Sequence, residues 1–76
     1  MKLNIGNIEW LVENGGEVSI GRAGLTKCAA IASDEGNMIA ALKKRKDESV
    51  EELLQRLDHA IHLATEEEKF INELDD

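Results

Sequence analysis

The stretch "SVEELLQRLDHAIHLA", residues 49 to 64, decides how the rest of this 76-residue chain is arranged. It opens with a capping box. The Ser49 hydroxyl is placed to accept from the Glu52 amide and the Glu52 carboxylate from the Ser49 amide, which satisfies two of the donors a helix start leaves open. Asp47, Glu48, Glu51 and Glu52 crowd the positive end of the helix dipole, where each carboxylate is favoured by about 0.3–1 kcal/mol. Val50, Leu53, Leu54, Leu57, Ala60, Ile61 and Ala64 then recur at the i, i+3, i+4 spacing of one helix face. An amphipathic helix of this kind needs an apolar surface to lie on.

That surface has to come from upstream. "EVSIG" (17–21), "TKCAAIAS" (26–33) and "NMIAALKKR" (37–45) are short apolar runs that read as strands, and "DEGN" (34–37) suits a hairpin loop with Gly36 in the left-handed conformation. Ala29, Ala30, Ala32, Ala40 and Ala41 are poor strand formers, but small side chains on a sheet let a helix approach closely. Further upstream, "NIGNIEWLVENGG" (4–16) reads as a helix capped by Asn7, with Ile8, Leu11 and Val12 on one face and Gly15 as the C′ residue. The competing reading is a strand alternating Ile8, Trp10 and Val12, with Asn14-Gly15 as a type I′ turn. The expected fold is therefore α+β in the order α-β-β-β-α: a small three-stranded antiparallel sheet, a short N-terminal helix and a long amphipathic C-terminal helix. The alternative is a four-strand meander plus the C-terminal helix. The order helix, three strands, helix also occurs in double-stranded-RNA-binding domains. Those need a basic helix start to span phosphates, and carboxylates stand there in this chain.

Past Ala64 the pattern shifts. Glu68 falls where the apolar stripe should continue, while Leu63, Phe70, Ile71 and Leu74 form a strip about a quarter turn round the helix. "TEEE" (65–68) is a second possible capping box, so the helix is expected to bend or restart at Thr65. A single rod over residues 50–73 would span about 36 Å against about 23 Å for a seven-residue strand, and an overhang follows. Residues 1–64 are read as one α+β domain and residues 65–76 as an acidic helical extension, projecting or bent back.

A chain this short buries only about 60% of the surface its unfolded form exposes, so a partner that covers more apolar surface would help. It has no apolar run near the roughly 20 residues of a membrane helix. The N-terminus lacks a signal-peptide pattern, and the single Cys28 cannot form an internal disulfide. These features point to a cytoplasmic protein with no membrane contact.

Charge divides the chain. Residues 1–46 carry seven Lys or Arg against five Asp or Glu, and residues 47–76 carry two against eleven, so a +2 body and a −9 C-terminal part make up the net −7. Lys43, Lys44, Arg45 and Lys46 are the candidate nucleic-acid contact. Strand alternation would send Lys43 and Arg45 to one face and Lys44 and Lys46 to the other, next to acids that cancel the local field. Nucleic-acid binding through this segment, with the acidic tail as a regulator, is accordingly the second reading, and nucleic acid is not the expected partner.

Sites of chemistry are sparse. His59 and His62 lie one turn apart, opposite the leucine stripe with Asp58, and read as solvent-facing residues without a closed ligand shell. Cys28, on a strand of small residues, reads as a small buried hydrophobe. "GRAG" is too short for a phosphate loop. No catalytic, metal or cofactor-binding residue is assigned, and the protein is not expected to be an enzyme. Two features remain. Trp10 lies on the side of the first helix away from Ile8, Leu11 and Val12, and exposed tryptophan is enriched at interfaces. In the tail, Phe70, Ile71 and Leu74 form an apolar strip beside Glu66, Glu67 and Glu68 that needs a cover. The expectation is a small acidic protein-interaction module that binds a protein partner or itself. It would be a homodimer built on the tail, or an adaptor or inhibitor that meets a basic protein surface. In its sharpest form a carboxylate column at Glu51, Glu52, Asp58, Glu66, Glu67, Glu68, Glu73, Asp75 and Asp76 mimics nucleic acid.

Overall fold

A computed structural model of the chain describes residues 4–74. Six elements follow one another: helix α1 (Gly6–Glu13), strands β1 (Glu17–Ala23), β2 (Thr26–Asp34) and β3 (Asn37–Lys43), helix α2 (Val50–Glu67) and a short strand β4 (Ile71–Asn72). The strands form one sheet in the order β1-β2-β3-β4. The first three are antiparallel and β4 joins β3 in parallel. A parallel neighbour requires a long crossover, and α2 is that crossover. The α+β class and the α-β-β-β-α order stand. The sheet has four strands, as in the alternative, but the added strand follows α2 and residues 6–13 remain a helix.

Local chemistry accounts for most boundaries. The hairpin between β2 and β3 turns through Glu35 and Gly36, both at positive φ (51° and 82°), the pair of left-handed positions that a tight hairpin turn requires. Gly15, at φ 90°, follows the Asn14 cap of α1, the usual C′ role for glycine. The Ser49 capping box is formed in full, with Glu52 N donating to Ser49 Oγ over 3.1 Å and Ser49 N donating to Glu52 Oε1 over 2.8 Å.

Both helices lie on one face of the sheet. Cross-strand partners share a face, and the pairings Val18–Ala32, Ala30–Leu42, Ala32–Ala40 and Ala40–Ile71 define the covered one, while Ile20, paired with Ala30 on edge strand β1, stays exposed. Ala30, Ala32, Ala40 and Leu42 from the sheet meet Ile8 and Leu11 of α1 and Leu53, Leu57, Ala60 and Ile61 of α2 in a single core. The alanines lie where α2 crosses, so small side chains do serve close approach. The stripe begins at Leu53, not at Val50, which is exposed, as is Val12 on α1.

Five expectations change. Helix α2 neither bends nor restarts at Thr65, because the Thr65 hydroxyl donates back to the Ile61 carbonyl (3.0 Å) instead of capping a new start. No overhang results. Eighteen residues make a helix of about 27 Å, matched by about 30 Å for the nine residues of β2. The segment after Glu67 is not helical: Glu68 takes a left-handed conformation (φ 54°) with Lys69 N donating to Leu63 O, and the chain bends back to pair with β3. Finally, Asp58 does not face solvent. It is 7% exposed, and its carboxylate accepts from Ile8 N and Asn7 Nδ2, both at 2.9 Å. Asn7 therefore does not cap α1. The helix starts after Ile5 with no side-chain cap of its own, and Asp58 supplies the missing acceptor from α2.

Candidate functional site

The chain contains one tryptophan, one phenylalanine and no tyrosine. Both aromatics are outside the core, Trp10 at 50% exposure and Phe70 at 65%, and both line the same groove. It lies at the C-terminal end of α2, with a volume of about 510 Å³, within the usual range for ligand sites of about 300–1,000 Å³. Trp10, Ile39, Ala64 and Phe70 make its apolar surface, and Asp34, Thr65 and Glu68 its polar rim. A second cavity of about 440 Å³ adjoins it on the other side of Trp10, between Asn7, Thr65 and Glu66. Among the described residues the lining of both cavities holds carboxylates and no basic side chain.

Four parts of the chain build the groove, α2 giving Ala64 and Thr65. Helix α1 presents Trp10 outward because Ile8 and Leu11 are drawn into the core. The β2–β3 hairpin contributes Asp34 and Ile39. The left-handed turn at Glu68 ends α2 and carries Phe70 out while the next residue, Ile71, packs against the core. Of the residues expected to form an interaction surface, Trp10, Phe70 and Glu68 therefore come together, and Glu66 joins them in the adjoining cavity. Glu67 is exposed beside Lys69 (3.4 Å). Ile71 is part of the core edge, and Leu74 is half-buried, with its amide donating to Asn72 Oδ1. The Phe70–Ile71–Leu74 strip therefore does not exist as one surface, since strand geometry sends neighbours to opposite sides.

The carboxylate column is also broken. Asp58 caps α1, Glu52 closes the capping box, and Glu73 is held inside a charged clasp; Asp75 and Asp76 lie outside the described residues. The clasp centres on Arg56. Its guanidinium donates to both oxygens of Glu48, to Glu73 Oε2 (3.0 Å) and to the Lys43 carbonyl (2.9 Å). Glu73 in turn accepts from Lys43 N (2.8 Å), and Glu48 accepts from Arg45 N (3.0 Å). The hydrogen bond from Arg56, with help from the Arg45 amide, holds the Glu48 carboxyl down at about 2 despite its burial, and the same bond raises Arg56. A fork that ties α2, β3 and the chain after β4 together is structural chemistry.

At the other end of the sheet the basic residues do gather. Strand β3 stops at Lys43, so alternation does not apply to Lys44, Arg45 and Lys46, and these four line a cavity of about 380 Å³ with Lys27, Cys28 and the fully exposed Leu25. Arg45 and Lys46 also border Asp47, Glu48 and Glu52, so the basic surface is flanked by acid. Cys28 is a free thiol, partly buried against the core. His59 and His62 are exposed, their rings stacked 6.3 Å apart. Among the described residues no three His, Cys, Asp or Glu side chains stand together as a metal site, and no helix is long and apolar enough to cross a membrane.

Arg56, Lys27, Asp34 and Ile39 are the residues sequence reasoning missed, and Asp58 is one whose role it misplaced. No local signal marks them, since each acquires its role from an element distant in sequence. Comparison with protein-family models, with curated proteins and with solved structures yields no match.

Proposed function

We propose that the protein is a non-enzymatic interaction module whose Trp10–Phe70 groove receives a Lys- or Arg-bearing segment of a protein partner. One observation carries this reading: the single tryptophan and the single phenylalanine are both left exposed, and both line one groove whose rim is acidic. An aromatic face attracts a cation by about 0.5–2 kcal/mol depending on desolvation. Carboxylates at Asp34, Glu66 and Glu68 add attraction and reject acidic partners, and the apolar floor takes the aliphatic stem of the same side chain.

The column of carboxylates invoked for nucleic-acid mimicry has lost Asp58 and Glu73 to internal bonds, so the groove is the stronger basis for binding a basic surface. A second reading, contact with nucleic acid through Lys27 and Lys43 to Lys46, draws support from their sharing one cavity. It is weakened by the acids that border it.

Trp10 reports on the groove directly. Titration with a short arginine-rich peptide should change Trp10 fluorescence, the change should shrink in high salt as screening shortens to about 3 Å at 1 M, and Phe70→Ala should weaken it. A glutamate-rich peptide should do nothing. If both peptides leave the emission unaltered, the groove is not a cation-binding site.

A further inference from the structure

The acidic groove and the basic cavity lie at opposite ends of β2. Asp34, on the groove rim, closes the strand, while Thr26 to Cys28 line the basic cavity at its start. Thr26 and Asp34 stand eight positions apart along the strand, about 26 Å, most of the 31 Å long axis of the molecule. Each end also has an apolar element that its own chain leaves uncovered. At the acidic end it is the concave floor of Trp10, Ile39, Ala64 and Phe70. At the basic end it is a projection: Leu25, at the tip of the β1–β2 hairpin, is the most exposed large hydrophobic residue described, with Lys27, Lys44, Arg45 and Lys46 around the cavity below it.

We infer that the groove's partner is a second copy of this chain, whose Leu25 tip enters the Trp10–Phe70 groove with its basic collar against the acidic rim. The inference rests on the groove reading above and names its occupant. Shape and charge both match, an apolar knob with a basic surround facing an apolar hollow with an acidic one, and both halves are present on every copy. The contact is heterologous, because the two patches are different surfaces of the protein. One hairpin tip covers far less than a standard interface, so the association is weak, with a Kd on the order of 0.1–1 mM, and it is fast to exchange. It is also sensitive to salt.

The test uses the full chain labelled with nitrogen-15. Concentrating the protein from about 10 µM to about 1 mM, a range that brackets such affinities, should move the amides of Gly24 to Thr26 and the Trp10 indole together, and added salt should reverse the movement. Leu25→Asp and Phe70→Ala, both at exposed positions, should each abolish it. Labelled Leu25→Asp, which keeps its groove, mixed with unlabelled Phe70→Ala, which keeps its tip, should recover the shift at Trp10 but not at residues 24–26. Trp10 unmoved in that mixture, or self-association that survives both substitutions, overturns the inference. So does a basic end that shifts with a single-stranded oligonucleotide while protein concentration leaves it unmoved. If self-association is absent but the arginine-rich peptide still acts on Trp10, the second copy is eliminated and the groove's function stands. Silence in both experiments removes both.

Discussion

Asp58 offers the sharpest test of how this fold is held together. The start of α1 has no side chain of its own to accept from its open amides, since Ile5 occupies the cap position. Asp58, the ninth residue of α2, fills that role across about fifty residues of sequence by accepting from Ile8 N and Asn7 Nδ2, each at 2.9 Å. Hydrogen bonds to a charged acceptor contribute about 1.5–3 kcal/mol net, and loss of an N-cap alone costs about 1 and up to 2 kcal/mol. Asp58→Ala removes both bonds and leaves the buried Ile8 amide with no acceptor. Water entering the space offsets part of the loss. The expected destabilisation is about 2–3 kcal/mol, a large share of the roughly 4–11 kcal/mol available to a chain of this size. For a domain this small it lowers Tm by roughly 10–20 °C.

Urea denaturation followed by far-UV circular dichroism and by Trp10 fluorescence gives the equilibrium value, and the m-value should not change, because the surface exposed on unfolding is the same. Hydrogen exchange then locates the effect. Amides of α1 should lose protection before those of α2 if Asp58 acts as the cap of α1. Asp58→Asn keeps one oxygen for Ile8 N and should recover part of the loss. A cost for Asp58→Ala within about 0.5 kcal/mol, the range of ordinary surface substitutions, would refute the reasoning and return Asp58 to the solvent face that a helical wheel gives it.

Two further outcomes follow from particular contacts. The Glu48 carboxyl is held by Arg56 at about 2, below its ordinary 4.5; a depressed folded-state value means that the ion pair stabilises fully above about pH 4.5 and is lost as pH falls from there toward about 2. Its worth is about 1–2 kcal/mol after allowance for screening around the partly exposed Arg56. In Glu48→Gln the acid limb of a stability–pH curve should flatten over that window, and an unchanged limb would show that other carboxylates set it. Gly16→Ala should cost about 1–3 kcal/mol by overpacking, since the added Cβ would stand 2.5 Å from Leu11 Cγ and Cδ1, and Leu11 is too buried to yield. Thermal melts of the two proteins suffice, and a shift of less than about 2 °C, well under the 4–8 °C per kcal/mol expected for this size, would show that Leu11 finds another rotamer.

What was legible in the sequence is what local physics specifies. The capping box at Ser49, the 3.6-residue stripe from Leu53 to Ala64, the Asp-Glu-Gly-Asn turn and the Gly15 stop of α1 each act within a few residues, and each stands in the structure. The illegible parts are those whose cause lies elsewhere in the chain. Two residues are too few for strand β4 to carry a period, and its backbone is committed by β3, through Glu73 N to Ala41 O (2.8 Å) and the Arg56 clasp. On a helical wheel Asp58 falls opposite the leucines, but a second helix covers that side. Strand alternation fails for Lys44 to Lys46 because β3 ends at Lys43, and that end depends on where Glu48 and Arg56 pull the chain toward α2.

The same distinction explains the groove. Trp10 and Phe70 stand apart in the sequence, one on a helix and one on an expected helical strip, and nothing in either stretch brings them together. The link is the turn at Glu68, where a non-glycine residue adopts a left-handed conformation at a cost of about 1 kcal/mol. A helix that ran on would have carried Phe70 past the sheet. By stopping α2 at Glu67 and turning the chain back, the bend packs Ile71 against the core and sets a parallel strand on β3, and it leaves Phe70 lining the same groove as Trp10. The core is built with alanines on the sheet beneath α2, and the two largest apolar side chains of the protein stand outside it. Their shared exposure at an acidic rim, and the Leu25 knob at the basic end, are thus consequences of one packing solution. The surface on which a partner would act and the contacts that stabilise the fold are set by the same turn.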